Sequence, residues 1–378
     1  MSFNQTRIIL VRHGRSTYND QQRYQGCCDE SVLTEQGKQE AFQTGIALSQ
    51  IPFNAIYASP LKRTQETAKE ILRVTNSSAK LYLNSNLKEV DLPGWQGLEY
   101  KYVRQELRKE YQIWEESPHE FTIDSIESRG QTLLKTKTKP VLQLYEQARQ
   151  FWQEILLRHQ GKTILVVSHG GTIRALISTA TEIQACHYHT IQQSNSGISI
   201  LDFENAFSLK AKITAINVTQ HLGEVLPKLK NGKHGLRILL LPVNLQNNQT
   251  NDYTEKITKF LKNIQLDFCL SNHIPNAQPI IESIIESQPN TPVHLQVSRQ
   301  DFLDIWHQQI SNRSLDYHGL STGLIVADIN TISHTLSQIL ELKSTASLQI
   351  NSGEITVLFY PTLQNKPVLQ AMNINGMF

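Results

Sequence analysis

Cysteine is scarce in this chain: Cys27, Cys28, Cys186 and Cys269 are the only four among 378 residues. Their number and irregular spacing exclude a disulfide framework and point to a reducing compartment. No apolar run approaches the roughly 20 residues that a membrane-spanning helix requires. A surplus of one charge is missing too. The 36 basic residues stand against 34 acidic ones, for a net charge of +2, so charge makes no case for nucleic acid or an anionic membrane as partner. The first strand pattern begins within seven residues of Met1, leaving no room for a signal peptide, and a cytoplasmic location is expected. What is present is an ordinary globular composition, 39% apolar and 19% charged, in a chain long enough for two domains.

Chemistry gathers where buried strand patterns end. Ile8 to Val11 is an apolar run bounded by Arg7 and Arg12, the pattern of a strand buried on both faces of a parallel sheet. It runs into Arg12-His13-Gly14-Arg15-Ser16-Thr17-Tyr18-Asn19, at the carboxyl end of the strand, where ligands of open α/β sheets bind. Thr34 caps a helix, with Glu35 in its first turn. Ala55 to Ala58 is the next strand and feeds Ser59-Pro60-Leu61-Lys62-Arg63. There Ser59 suits an N-cap, Pro60 the first helical position, and Arg63 a turn whose free N–H groups face an anion. Lys62 reads as a surface residue. A third strand, Leu81 to Leu83, precedes Leu87-Lys88-Glu89-Val90-Asp91-Leu92-Pro93-Gly94-Trp95. A carboxylate between apolar neighbours sits in a partly dry place, which suits Glu89 to a general acid.

Tyr100 to Trp114 reads as one charged amphipathic helix, and Gln131 to Leu157 as at least one more, with Pro140 marking a break or a start. These segments are expected to cover the site. Thr163 to His169 is the clearest buried strand, and Gly170-Gly171-Thr172 then opens a helix through Arg174. Two apolar strands that each end in histidine and turn into glycine-containing loops place two imidazoles side by side. A last strand, Ile198 to Phe203, follows Gln192-Gln193-Ser194-Asn195-Ser196-Gly197, and Lys212 to Val218 adds an edge strand.

The stretch Arg12-His13-Gly14-x-Ser16-x-x-Asn19, followed in order by Arg63, Glu89 and His169, resembles the signature of the histidine phosphatase superfamily, the phosphoglycerate mutase-like enzymes of branch 1. The resemblance covers roughly residues 5 to 220. It implies a three-layer α/β fold, a mostly parallel sheet flanked by helices. It also implies a catalytic set of Arg12, His13, Arg63, Glu89 and His169, in which His13 becomes phosphohistidine and Glu89 is the acid. Arg12, Asn19, Arg63, His169 and backbone N–H groups near Gly14 and Gly170 would hold the phosphate. The implied activity is hydrolysis of a small phosphomonoester, such as 2-carboxy-D-arabinitol 1-phosphate, phosphoserine or a sugar phosphate.

Within that family the segment Tyr100 to His119 lacks the paired arginines usual in the mutase branch, which favours hydrolysis. A cofactor-dependent phosphoglycerate mutase and a non-catalytic phosphate-sensing scaffold are the alternatives. Two histidines and a glutamate form a conceivable metal set, but adjacent arginines repel a divalent cation, so no metal and no cofactor are expected. His187 and His189 read as helix-terminal or surface residues rather than ligands. A redox role for Cys27 and Cys28 lacks any sign of a depressed thiol pKa. The expected partner is a small phosphorylated substrate, with no nucleic acid, no membrane, and a homodimer as one option.

The second half reads as a shortened copy. Pro227 to Gly235 is a linker by its Pro, Gly and Lys content. Beyond it, Arg237 to Asn244 lines up with Arg7 to Gly14, with Pro242-Val243 in place of Arg12-His13. Phe268 to Ser271 lines up with Ile56 to Ser59, Pro275 falls where Arg63 would be, Asp328 replaces His169, and Asn351 to Gly353 follows Asn195 to Gly197. The expected organisation is a catalytic domain at 1–226, a linker at 227–235, and a degenerate, non-catalytic domain at 236–378.

Overall fold

The computed structural model describes residues 5–75, 77–129, 132–205, 207–229, 234–244, 251–272, 277–288, 293–297, 302–313, 319–361 and 366–374. The expected Pro275, much of the expected linker and Gln131 lie outside these. The chain divides into two compact units, Met1–Ile213 and Thr214–Phe378.

In unit 1, β1 (Thr6–Arg12) leads through α1 (Thr17–Asp20) and α2 (Glu35–Ala47) to β2 (Ala55–Ala58), then α3 (Lys62–Thr75) and β3 (Leu81–Leu83). Next come α4 (Tyr100–Glu106), α5 (Arg108–Glu116), the hairpin β4 (Ile123–Arg129) and β5 (Thr132–Thr138), and α6 (Pro140–Arg158). The unit closes with β6 (Thr163–Ser168), α7 (Gly170–Ala180) and β7 (Ile198–Phe203), and β8 (Ala211–Val218) carries the chain across the division. The sheet order is β3-β2-β6-β1-β7. The first four strands are mutually parallel, and β7 runs antiparallel to β1. Ile8 to Val11 and Ile164 to Val167 are wholly buried, as expected for central strands covered on both faces.

The connections from β1 to β2 and on to β3 run one way along the sheet, and the one through α6 returns the other way; because parallel crossovers are right-handed as a rule, such a reversal puts helices on both faces. The α2 and α3 helices pack together, as do α6 and α7. The chain leaves β1 and β6 in opposite directions along the sheet. Their carboxyl ends therefore form the crevice of a topological switch point, where α/β sheets bind ligands. His13 and His169 are the residues that follow these two strands.

Three local expectations change. The helix expected across Tyr100 to Trp114 is broken at Leu107, whose φ of −108° and ψ of 41° leave the helical region. Thr132–Thr138 is a strand of a two-stranded hairpin, and Pro140 starts α6 at its first turn, where a missing N–H costs nothing. The helix after β2 begins at Lys62, two residues beyond Pro60.

Unit 2 has β9 (Gly235–Val243), α8 (Asn251–Leu261), β10 (Phe268–Asn272), α9 (Gln278–Glu286), β11 (Val293–Val297), α10 (Phe302–Arg313), β12 (Leu320–Asp328), α11 (Ile329–Ile339), β13 (Ile355–Tyr360) and β14 (Val368–Ile374). Its order is β11-β10-β12-β9-β13-β14. The strands β11, β10, β12 and β9 pair in parallel, and β13 is antiparallel to β9. Among the described residues no helix is long and apolar enough to cross a membrane.

Candidate active site

The switch point of unit 1 is built from the ends of β1 and β6. His13 is buried, and its backbone N–H donates to Ser168 O at 2.9 Å, joining the two strand ends. Its Nδ1 lies 2.8 Å from Gly14 O. A carbonyl only accepts, so Nδ1 carries the proton and Nε2 holds the lone pair. His169 follows β6 at the N-cap of α7, fully buried, with Nε2 2.8 Å from Ser59 Oγ. Its Nδ1 has no partner among the described residues. The two rings stand edge to face, 5.3 Å between centroids. Burial first, then the charges of Arg63 and Arg12, hold the His13 pKa well below 6.5. Burial, Arg63 and the neighbouring His13 do the same for His169. Both imidazoles are therefore neutral near neutral pH.

Two guanidiniums flank them. Arg12 donates through Nη1 to Gln193 O at 2.9 Å, and Arg63, wholly buried in the first turn of α3, donates to Cys28 O at 2.8 Å and Gly26 O at 2.9 Å. Their partners are carbonyls, and the Nε of each is buried without a partner among the described residues. Burial lowers both pKa values, with Glu89 among the charges that oppose it. Half-buried Arg12 and wholly buried Arg63, neither hydrogen-bonded to a carboxylate among the described residues, can receive an anion.

Glu89 is held differently from the expectation. It is only half-buried, and it is cradled by backbone rather than by apolar neighbours. Its Oε2 accepts from Gly171 N at 3.1 Å, and its Oε1 from Thr172 N at 3.1 Å and Val90 N at 2.8 Å. The N-terminus of α7, where N–H groups lack intrahelical partners, thus holds the carboxylate. A Cβ at Gly171 would collide with Glu89 Oε1 and Tyr188 Oη.

The turn after β2 departs likewise. The Lys62 N–H donates to Asp29 Oδ1 at 2.6 Å, so this turn does not offer it to a ligand. The Gly14 N–H donates to Thr67 Oγ1 at 3.0 Å and is not free for a phosphoryl oxygen. The Cα of Gly170 faces Arg12, whose Nε would lie 3.3 Å from an added Cβ. Asn19 sits at the mouth, its Oδ1 accepting from Ser16 N at 3.2 Å and Asn195 Nδ2 at 3.1 Å. Lys62 is exposed. His187 is buried at the end of a short 3-10 helix, and His189 Nε2 donates to Trp114 O at 2.8 Å. No cluster of His, Cys, Asp or Glu among the described residues has metal-holding geometry. Burial pushes the Cys27 thiol up to about 12, and its S–H donates to Glu89 O at 3.0 Å.

Sequence reasoning missed several contributors. Asn195 Nδ2 also donates to His13 O at 3.0 Å, so one side chain from the loop before β7 ties the His13 backbone to Asn19. Ser59 orients His169 rather than capping a helix. Above the site lies an aromatic wall: Tyr24 packs on Trp95 and Tyr100 with centroids 5.1 and 4.7 Å away, and Trp114 packs on Trp95 and Tyr188, each at 5.8 Å.

A family model, the histidine phosphatase superfamily (branch 1), matches residues 8–211. A wheat (Triticum aestivum) protein, 2-carboxy-D-arabinitol-1-phosphatase, is 34% identical over 197 residues, 52% of this chain and 37% of the wheat protein. Phosphoserine phosphatase 1 of Hydrogenobacter thermophilus is 30% identical over 218 residues, 58% of this chain and 95% of that protein. The solved structure of a phosphoserine phosphatase from Entamoeba histolytica in complex with 3-phosphoglyceric acid is 27% identical, covering 57% of this chain and 99% of that one, with a TM-score of 0.46. The chain spans well under half the length of the plant relatives it matches, 37% of the wheat protein and 38% of one from Arabidopsis thaliana.

Proposed function

The chain belongs to the histidine phosphatase superfamily, branch 1, and from that premise we propose that it is a metal-independent phosphomonoesterase working through phosphohistidine at His13. The observation that carries the reading is the tautomer of His13: Nδ1–H is pinned on Gly14 O, so Nε2 keeps its lone pair beside Arg12 and Arg63, whose charges bear on the ring and whose hydrogen-bond partners are carbonyls. A phosphomonoester dianion supplies the opposite charge, held by Arg12, Arg63, His169, Asn19 and the Gly170 N–H. His13 Nε2 attacks phosphorus in line, forming the N–P bond as the P–O bond to the alkoxide breaks. Glu89 gives a proton to the departing oxygen. The resulting carboxylate then takes a proton from the water that attacks phosphorus, forming the O–P bond as the N–P bond breaks, which releases phosphate and restores His13.

The substrate is a small phosphorylated metabolite, with 2-carboxy-D-arabinitol 1-phosphate, phosphoserine and sugar phosphates as candidates by likeness to the named relatives. A panel of these with both phosphoglycerates, assayed with and without a chelator, tests the reading. Turnover unchanged by chelator and release of inorganic phosphate are expected. Exchange of phosphate between the 2- and 3-positions of phosphoglycerate, without net release, would instead support a mutase.

The domain reading extends the same way: a catalytic domain at 1–226, a linker at 227–235 and a degenerate, non-catalytic copy at 236–378. Support comes from four strand pairings of unit 2 that repeat those of unit 1 in neighbour and direction. Leu239 pairs with Leu324 as Ile9 pairs with Leu165, which sets Pro242, Val243 and Asp328 opposite Arg12, His13 and His169. The registers equate Asn272 with Ser59 and Gly353 with Ser196, one residue on from the sequence match. Asn272 accordingly donates to Asp328 Oδ2 at 3.2 Å, where Ser59 meets His169. Left-handed Gly353 and Ser196, and Glu341 and Glu182, recur at these matched places. With an aspartate for a histidine and no arginine there, unit 2 does not bind phosphate through this position.

A further inference from the structure

One cation near the site takes no part in the chemistry above. Arg174 lies on α7, four residues beyond Gly170 and so about 6 Å along the helix axis from the phosphate-facing N–H. Its guanidinium stacks over the Tyr188 ring, 5.5 Å from the centroid. Its Nε donates to Ile191 O at 2.9 Å, and its Nη1 is 3.5 Å from His189 Nδ1. Because His189 Nε2–H donates to Trp114 O, Nδ1 is an acceptor, so this contact too is to a neutral group. No carboxylate among the described residues pairs with Arg174. Tyr188, on which it rests, has its hydroxyl against the same face of Gly171 as the Glu89 carboxylate. Arg174 also lies close enough to Arg12 for its charge to lower the Arg12 pKa. A half-buried guanidinium whose partners, Ile191 O, His189 Nδ1 and the Tyr188 side chain, are all neutral keeps its charge for a planar anion.

We propose that Arg174 is a specificity-determining residue that receives a carboxylate carried by the substrate, so that the preferred substrates are phosphomonoesters with a carboxylate near the ester oxygen. This rests on the phosphomonoesterase reading and narrows it. The phosphoryl group occupies the Arg12, Arg63 and His169 corner, the leaving group runs along the first turn of α7 past Glu89, and its carboxylate meets Arg174 beneath the Tyr188 and Trp114 rings. Removing the guanidinium then weakens binding of the carboxylate and leaves the reacting atoms untouched.

The test uses pairs that differ at the carboxylate alone: 3-phosphoglycerate against glycerol 3-phosphate, and phosphoserine against phosphoethanolamine, with p-nitrophenyl phosphate as the control. The full chain is expected to favour the carboxylate member of at least one pair by about tenfold or more in kcat/KM. Arg174→Met should lose on the order of a hundredfold on that member, mostly in KM, and less than about threefold on its partner and on p-nitrophenyl phosphate, with Arg174→Lys falling between. Equal losses on both members would assign Arg174 to holding the Tyr188–Ile191 loop and overturn the proposal. So would a wild-type chain without preference in either pair, a result that needs no variant to fold. Failure to hydrolyse p-nitrophenyl phosphate at all would instead strike the phosphomonoesterase reading.

Discussion

Gly171→Ala puts a single methyl group where the Glu89 carboxylate and the Tyr188 hydroxyl already meet. The helix cannot retreat, because Trp152 Nε1 is bonded to Leu176 O on the same helix at 3.1 Å. The carboxylate must therefore leave its cradle, losing bonds of 3.1 Å each to Gly171 N and Thr172 N. Hydrogen bonds to a charged group are worth roughly 1.5–3 kcal/mol each, and the better helix propensity of alanine returns about 1 kcal/mol. A net destabilisation of about 2–5 kcal/mol follows from these values. A misplaced general acid costs about 10²–10⁴ in rate, or roughly 3–5 kcal/mol of barrier. The assay is kcat/KM on an alkyl phosphate, whose leaving oxygen needs a proton, beside p-nitrophenyl phosphate, whose leaving oxygen does not. The variant should lose about a hundredfold or more on the first and much less on the second. A folded variant within about threefold of wild type on the alkyl phosphate would refute the assignment of Glu89 as the acid.

The neutral histidines make the unliganded protein acid-sensitive. The folded pKa values of His13 and His169 lie well below 6.5, so as pH falls through about 6.5 the unfolded chain takes up protons that the native state cannot, and stability declines by up to about 1.4 kcal/mol per pH unit for each. Denaturant midpoints between pH 7 and 5 should show this, with a shallower slope in His169→Asn; a flat profile in wild type would contradict it. Orthovanadate titration should saturate at one anion per chain, since among the described residues the paired histidines and guanidiniums come together at the ends of β1 and β6 and the start of α3; two equivalent sites would overturn the reading of the second unit as degenerate.

The site was legible in proportion to how locally each part is built. Apolar runs ending in His13 and His169 mark two central strands, because β1 and β6 are buried on both faces and admit little but aliphatic residues. Thr34 was readable as a cap, and its Oγ1 accepts from Gly37 N at 3.0 Å. The parts that escaped depend on which strands are neighbours. Asn195 acts through carbonyls 181 and 182 positions away, and Ser59 through a ring 110 positions away. Glu89 stands out in the sequence for its flanking residues, whereas in the fold its hydrogen bonds come from the start of α7, 82 positions later. The hairpin and the break at Leu107 were missed because no Gly or Pro marks the break, and the helical run after Pro140 obscured the Thr-rich strand before it.

The central claim is that phosphate passes through Nε2 of His13. Incubating the full chain with a ³²P-labelled phosphomonoester it hydrolyses, quenching in alkali during turnover and mapping the label tests this most directly. An acid-labile, alkali-stable phosphoryl group on the peptide containing His13 is expected, with no label or turnover in His13→Ala beyond about a thousandth of wild type. Turnover with no labelled histidine, or His13→Ala within about tenfold of wild type, would contradict it.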